Sequence, residues 1–532
     1  MILKQKIILY LAIILFSGLS IWGIVKFKEY KDHLYRKDRM IIAISNSPKS
    51  LDFCNSKDTN SVYTDWTLGL FHSTLLKAPE NPQDKPENLL VEEWDLDREN
   101  RKIKAKLKDG ILFHNGNKMT TEDVIFTYNR AVEKEHKDFV NNIKSVQKID
   151  ELKFEIHLKD LPPFYNFIFY KMFRVLNKAA IDENESEGLK IGTGLYKLVS
   201  VSKDKKDYNF EKFENYHAKN DSEYLDFDKL PPKITLKVDP SNDNNLLNLE
   251  KKNIDLILSF PGKNINDNLR DKESKKKLNI KEDRQTSKVS YMYINQENTK
   301  EAIRKLIVQA IDFEKIKEEL KIPNKVANGG LLPPILKGHD KTANYRIYYN
   351  KELAKTGVQS LTGEEKKINI LTSENPDLAL QLKVKDHLEE AGFEVKINQV
   401  PFNDITNKFI TTNDYNILFL GEQHELIYGY KFFEDYFIHS DKDPKNQNFS
   451  HIKEEDADKI SKLIKDSKEA LDDDSFIQKI KEIEQYLYTK LYIIPTFYVT
   501  DYVLTSSRVD KEHLKINTFS GVNPRSLRFI SK

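Results

Sequence analysis

The chain has 532 residues, with 85 Lys and Arg against 83 Asp and Glu, a net charge of +2, 39% hydrophobic residues and 32% charged residues. This describes a multidomain globular protein with a heavily charged surface, and it excludes a disordered chain and a single small module. Near-balanced charge provides no general field for nucleic acid or acidic membranes, so lysine runs such as Lys275-Lys276-Lys277 read as solvated faces. Cys54 is the only cysteine, so no intrachain disulfide can form.

In chain order, the first element is the uncharged apolar run Ile7 to Val25, preceded by Lys4 and Lys6 and followed by Lys26, Lys28 and Lys31. As one helix it would rise about 28 Å, close to the hydrocarbon thickness of a bilayer. Gly18-Leu19-Ser20 offers a small-x-small cleavage site, yet Ile21-Trp22-Gly23-Ile24-Val25 continues apolar beyond it with no polar c-region. The run therefore reads as an uncleaved N-terminal transmembrane helix rather than a signal peptide, and Phe27 to Arg39 as a basic stalk. Folding proper begins at the strand-like run Met40 to Ile44.

Leu107 to Arg130, LKDGILFHNGNKMTTEDVIFTYNR, carries a dense series of local signals. A strand breaks at Asp109-Gly110, and Asn115-Gly116 makes a tight turn that tolerates positive φ. Thr120 caps a helix with Asp123 three residues on, and Val124, Ile125, Tyr128, Ala131 and Val132 form its apolar stripe. Further along, Ile303, Leu306, Ile307, Ala310 and Ile311 have helical spacing, and Asp312 caps a helix carrying Phe313, Ile316 and Leu320.

Residues 366–420 read as β-α-β-α-β. Strand Lys367 to Leu371 is followed by a helix capped at Asn375-Pro376, bearing Leu378, Leu382 and Leu388 and ended by Gly392. Phe393, Val395 and Ile397 alternate as the next strand, and a second helix after Pro401 leads to strand Tyr415 to Leu420. Such units close into parallel sheets and bind ligands outside the carboxyl ends of their strands. Phe476, Ile477, Ile480, Ile483, Leu487 and Leu491 predict a late amphipathic helix, and Pro495 excludes a regular central strand after it.

The chemistry of an enzyme is hard to find. There is no P-loop, H-E-x-x-H, G-x-S-x-G or paired-cysteine zinc pattern, and His114 in the signature turn reads as a structural hydrogen-bonding group rather than a metal ligand. Ser274-Lys275-Lys276-Lys277 and Lys355-Thr356-Gly357 fit the outer elements of penicillin-recognising serine enzymes. A nucleophilic serine there must open a buried helix, whereas Ser274 lies among charges. No cofactor is expected.

As a string, Leu107 to Arg130 resembles the signature of the extracellular solute-binding proteins of peptide and nickel ABC transporters, family 5. Ser50-Leu51-Asp52 is similar to the family's "SLDP", with Phe53 in place of proline, and Leu68-Gly69-Leu70-Phe71 to the helix after it. Leu90 to Trp94 resembles "LAESW", and Ile191 to Tyr196 resembles "VGTGPY", with Leu195 in place of proline. Ala302 to Asp312 and Tyr492 to Pro495 are similar to two later motifs in the same order.

The resemblance implies an α/β, two-lobed periplasmic-binding-protein fold of type II with an extra inserted domain. By motif, residues 1–39 would be membrane anchor and stalk, and 40–72, 190–285 and 500–532 lobe I. Residues 73–189 would be the inserted domain and 286–499 lobe II. It also implies a monomeric, extracytoplasmic substrate-binding component that captures a small solute or short peptide between its lobes and delivers it to ABC permease subunits. A membrane-anchored sensor or scaffold with the same fold is the first rival, and a cleft enzyme the second.

Candidate ligand-binding residues follow from strand ends. Asn46 and Ser47 follow the first strand of lobe I, and Tyr291 or Tyr293 would face the cleft by strand alternation. Gly421, Glu422, Gln423 and Glu425 leave the last strand of the β-α-β-α-β unit. In oligopeptide binders the comparable stretch bonds the peptide backbone and supplies an acid for its α-amino group, a role open to Glu422 or Glu425, although the family's frequent tryptophan is missing.

Overall fold

The computed structural model describes residues 36–532 other than 56–61, 80–84, 160–168, 170–172, 221–225, 283–287, 323–324, 340–348, 374–377, 402–404, 406–412, 424–428, 438–447, 518–520, 531–532 and positions 328, 335, 337 and 471. The apolar run Ile7 to Val25 lies outside the described residues, among which no helix is long and apolar enough to cross a membrane.

Strand β1 (Arg39–Ile44) is apolar and buried after Arg39 because both its faces are covered. Met40, Ile42 and Ile44 enter the main core, while Ile41 and Ala43 enter a smaller one. Helix α1 (Val62–Phe71) follows. A four-stranded antiparallel sheet comprises β2 (Val91–Asp97), β3 (Lys102–Leu107), β4 (Ile143–Lys148) and β5 (Lys153–Leu158), in the order β2-β3-β5-β4. In β3, Ile103, Ala105 and Leu107 are buried between lysines, the period-two pattern of a sheet wetted on one face.

Helix α2 (Thr121–Glu133), between β3 and β4, has the expected capping box: Thr120 accepts from the Glu122 amide and Asp123 from the Thr120 amide. Its buried stripe is Val124, Thr127, Tyr128 and Ala131. The predicted member Val132 is 40% exposed, because it falls at the edge of the buried arc.

The strands of the two large sheets are β6 (Tyr196–Val201), β7 (Asp207–Lys212), β8 (Lys233–Val238), β9 (Leu256–Pro261), β10 (Leu278–Glu282), β11 (Lys288–Ile294), β12 (Lys325–Val326), β13 (Lys367–Ser373), β14 (Glu394–Val400), β15 (Ile417–Gln423), β16 (Ile493–Val499) and β17 (Asp501–Ser506), together with β1. The seven-stranded sheet has the order β10-β17-β9-β1-β8-β7-β6, with β1 parallel to β8 and β9. The six-stranded sheet has the order β12-β16-β11-β15-β13-β14. In it β13 is parallel to both β14 and β15, as the β-α-β reading predicts.

Helix α3 (Asp267–Ser274) precedes β10, and α4 (Glu301–Ala310), α5 (Phe313–Leu320), α6 (Lys351–Gln359), α7 (Ala379–Glu390), α8 (Glu454–Lys468) and α9 (Asp473–Lys490) belong to the span of the six-stranded sheet. Asp312 caps α5 by accepting from the Glu314 and Lys315 amides. Helix α7 buries Gln381, Val384, His387 and Leu388, while Leu382, expected inside, is 48% exposed. The intended cap Asn375-Pro376 and the helix after Pro401 fall largely outside the described residues.

Pro495 sits in β16, a strand with neighbours on both sides, at the place where its register with β11 shifts between Ser290 and Tyr291. Among the described residues strand β12 pairs with Phe497 and Tyr498 and not with Pro495, so proline's missing N–H costs no ladder bond on that side. Arg304 of α4 is buried, donating to the carbonyls of Lys490 and Thr299, and its guanidinium lies 5.0 Å from the Tyr492 ring centre. A cation at the last turn of α9 suits that helix's negative end.

Candidate ligand-binding cleft

Three separated motif segments meet at one point. The His114 amide donates to the Gly192 carbonyl at 2.9 Å, His114 Nδ1 lies 3.3 Å from the Gly192 amide, and His114 Nε2 lies 3.0 Å from the Gly194 carbonyl. Gly194 N donates to Phe71 O at the end of α1. A Cβ on Gly192 would lie 1.9 Å from Phe71 O, and one on Gly194 would lie 2.4 Å from the Phe71 carbonyl carbon. Both glycines are required by close backbone approach. His114 is therefore a structural residue, and burial lowers its pKa to about 4.

Asp52 of the early motif pairs with Arg130 at the end of the signature at 2.6 Å, and Arg130 also binds Glu185. The signature is thus a clamp joining the 91–158 sheet region to the seven-stranded sheet.

The two large sheets are joined where β10 leads to β11 and where Thr500 separates β16 from β17. Pro261 at the end of β9 pairs with Asp501 at the start of β17, so the carboxyl end of β9 lies at this junction. Strand β1 is parallel to β9, which puts the segment Asn46-Ser47 at the same end of the seven-stranded sheet. Across the junction, β15 and β16 are both antiparallel to β11 and therefore run the same way. Strand β16 ends at the junction, so Gly421 to Gln423, closing β15, do so too. The strand ends chosen from sequence thus both lie at the junction end of their own sheet.

The individual residues differ. Asn46 is exposed. Ser47 is half-buried, with its hydroxyl 2.7 Å from that of Tyr208. Gly421 pairs with Ser290, and a Cβ added there would meet nothing within 4 Å among the described residues. The backbones of Glu422 and Gln423 pair with Val289 and Lys288, while Glu425 lies outside the described residues.

Tyr291 and Tyr293 require a correction, because both are fully buried in the core. Tyr291 donates to Leu331 O at 2.6 Å and stacks on Phe432, and Tyr293 meets Phe449 edge-on at 5.2 Å. Alternation puts the two tyrosines on one face, and that face is covered by the segments bearing Phe432 and Phe449.

Sequence reading missed Lys288 and Asp501, which bridge the junction at 2.6 Å, with Ser259 donating to the same Asp501 oxygen at 2.9 Å. No local motif announces such a pair. The penicillin-enzyme pattern has the wrong geometry: Ser274 is the last residue of α3 and donates to Asp271 O, and Lys355 to Gly357 lie within α6.

The sequence pattern of bacterial extracellular solute-binding proteins, family 5 Middle, matches residues 85–444, and the chain belongs to that family. The oligopeptide-binding protein AppA of Bacillus subtilis (strain 168) is 25% identical over 435 residues, 73% of this chain and 74% of that protein. Among solved structures, the ABC transporter substrate-binding protein CtaP of Listeria monocytogenes matches with a TM-score of 0.76 and 20% identity over 93% of this chain and 99% of that one. Bacillus subtilis AppA in complex with a nonapeptide matches with a TM-score of 0.66 and 20% identity over 93% and 99%. NikZ of Campylobacter jejuni in complex with Ni(L-His) matches with 0.67 and 19% over 92% and 99%. The fold is the two-lobed α/β periplasmic-binding-protein fold. The family is one of solute-binding proteins, not enzymes.

Proposed function

We propose that this chain captures a short peptide between its two lobes and delivers it to an ABC permease at the outer face of a membrane. What supports this is that two strand ends, Asn46-Ser47 on one sheet and Gly421-Glu422-Gln423 on the other, both lie at the junction between the sheets, and that no described residue crowds Gly421. The B. subtilis relative named as an oligopeptide-binding protein supports a peptide as the solute. An extended peptide bonds to the backbone of β15 at Gly421, and Glu422 or Glu425 receives its α-amino group. The seven-stranded sheet forms the body of lobe I, the 91–158 sheet the inserted domain and the six-stranded sheet lobe II, within the boundaries 40–72 with 190–285 and 500–532, 73–189, and 286–499. Ile7 to Val25 anchors the monomer in the membrane.

Function is closure. Peptide bridging both lobes favours the closed arrangement only by its greater affinity for it, and no bond is made or broken. Native mass spectrometry of the gently purified full chain tests the reading: co-purified peptide appears as added mass. Calorimetry then compares Glu422→Gln and Glu425→Gln against a free peptide and its N-acetylated form. Loss of a buried counter-charge weakens the free peptide roughly thirty-fold or more and leaves the acetylated one nearly unchanged. If both variants bind the free peptide as the parent does, the α-amino assignment fails.

A further inference from the structure

A pocket of about 380 Å³ opens at the edge of the six-stranded sheet, lined by Glu314 and Lys317 of α5, Lys325 and Val326 of β12, Gly329, His339 and Tyr498. Its position follows from register. Lys325 pairs with Tyr498, and Val289 pairs with Tyr498 on one side and Glu422 on the other. One row across four strands therefore joins the pocket to the end of β15, three strand spacings or about 14 Å away. The pocket lies at the junction end of the sheet but apart from the end of β15.

Its lining suits an anion. Among the described residues Lys317 and Lys325 have no ion-pair partner, whereas their neighbour Lys315 pairs with Glu319. Tyr498 is only 9% exposed, and its buried hydroxyl has no fully formed hydrogen bond among the described residues, although the Gly329 backbone approaches it. Burial raises the phenol to about 12, so it stays a protonated donor. An unsatisfied buried hydroxyl costs free energy that a guest oxygen would recover. His339 is oriented by Nδ1 donation to Leu332 O, and its ring meets that of Tyr498 edge-on at 6.3 Å, making an apolar wall beside the polar groups. Among the described lining residues two cations, Lys317 and Lys325, stand with one carboxylate, Glu314, a balance that favours a monoanion over a dianion.

We propose that this pocket is a second solute site, separate from the interlobe peptide site, which takes a small carboxylate-bearing molecule with its oxygens between Lys317, Lys325 and the Tyr498 hydroxyl. The volume falls within the lower range of small-molecule sites and suits a guest of amino-acid size.

The test titrates 4-fluorophenylacetate into the full chain in detergent micelles, followed by fluorine NMR against empty micelles, with 4-fluorophenylacetamide as the neutral counterpart. Saturable binding of the carboxylate is expected, weakened at least about tenfold by Lys317→Met and by Lys325→Met, with a smaller loss for Tyr498→Phe. The amide should bind at least about tenfold less well, and inorganic phosphate should not displace the carboxylate. Methionine keeps the aliphatic stem of each lysine, and unchanged thermal unfolding confirms intact variants. Absence of saturable binding, equal binding of the amide, displacement by phosphate, or unaltered affinity in both lysine variants would overturn the site. None of these results bears on peptide capture, which is read separately by the Glu422 and Glu425 variants.

Discussion

Lys288 Nζ lies 2.6 Å from Asp501 Oδ2, tying the first residue of β11 in the six-stranded sheet to the first residue of β17 in the seven-stranded sheet. The two residues flank the two chain crossings between the large sheets, and Gly262 N donates to Thr500 O beside them. Both side chains keep some solvent contact, at 35% and 18% exposure, so the pair contributes about 1 kcal/mol or less. An interaction of that size matters at a hinge, where opposing states differ by only a few kcal/mol.

Removing the strap should loosen the hinge. Lys288→Met is expected to raise the unliganded radius of gyration measured by small-angle scattering and to enlarge the contraction on adding peptide. The control Lys305→Met, which removes an exposed pair with Glu301 on α4, should change neither. Identical profiles for Lys288→Met and the parent would show that the pair does not govern the opening.

Acid should destabilise the region around the glycine motif. Burial lowers the pKa of His114 to about 4 and that of His217 to about 3, and it holds His72 well below the ordinary 6.5. The folded state disfavours the charged imidazoles, so below pH 6.5 the unfolded chain takes up more protons. This stability is complete above about pH 6.5 and is lost as the pH falls toward 4. For His114 the span from 6.5 to about 4, at 1.36 kcal/mol per pH unit, is roughly 3 kcal/mol. Urea unfolding at pH 7.5 and pH 5 should show the decline, and His114→Gln should flatten it. A parent stability independent of pH over this range would refute the assignment.

Gly192→Ala should be among the most damaging single-methyl changes in the protein. Its Cβ would fall 1.9 Å from Phe71 O, a backbone atom that cannot swing aside, so α1 or the motif must move. Overpacking of this kind costs about 1–3 kcal/mol or more. Gly194→Ala should behave alike, and thermal unfolding of both checks the expectation.

Gly421→Ala should separate folding from binding. Among the described residues nothing stands within 4 Å of the added methyl, and alanine loses less chain entropy than glycine in a strand, so stability should hold or rise by about 0.5 kcal/mol. A peptide lying against β15 would meet the methyl, and its affinity should fall severalfold by calorimetry. Undiminished affinity would move the peptide away from this strand end.

Much of the fold was legible because short-range physics writes it into neighbouring residues. The Thr120-Asp123 capping box, the Asp312 cap and the turns at Gly110 and Gly116 with positive φ are properties of segments a few residues long. The parallel β13, β14 and β15 were likewise readable from period and punctuation. Periodicity failed at the margins of stripes: Val132 and Leu382 have apolar side chains at plausible positions, but the neighbouring elements leave them exposed.

Alone, the sequence determined where strands and helices begin, which strand ends carry polar and glycine residues, and the family to which the chain belongs. Only tertiary structure decided the use of each side chain. Tyr291 and Tyr293 became core because segments more than a hundred residues away cover their face, and the glycines of 192–194 are obligatory because α1 ends against them. Lys288 and Asp501, 213 residues apart, become partners only once two sheets share a junction. Local patterns report backbone preference, which neighbouring residues set; burial and pairing depend on which distant surfaces the chain brings together.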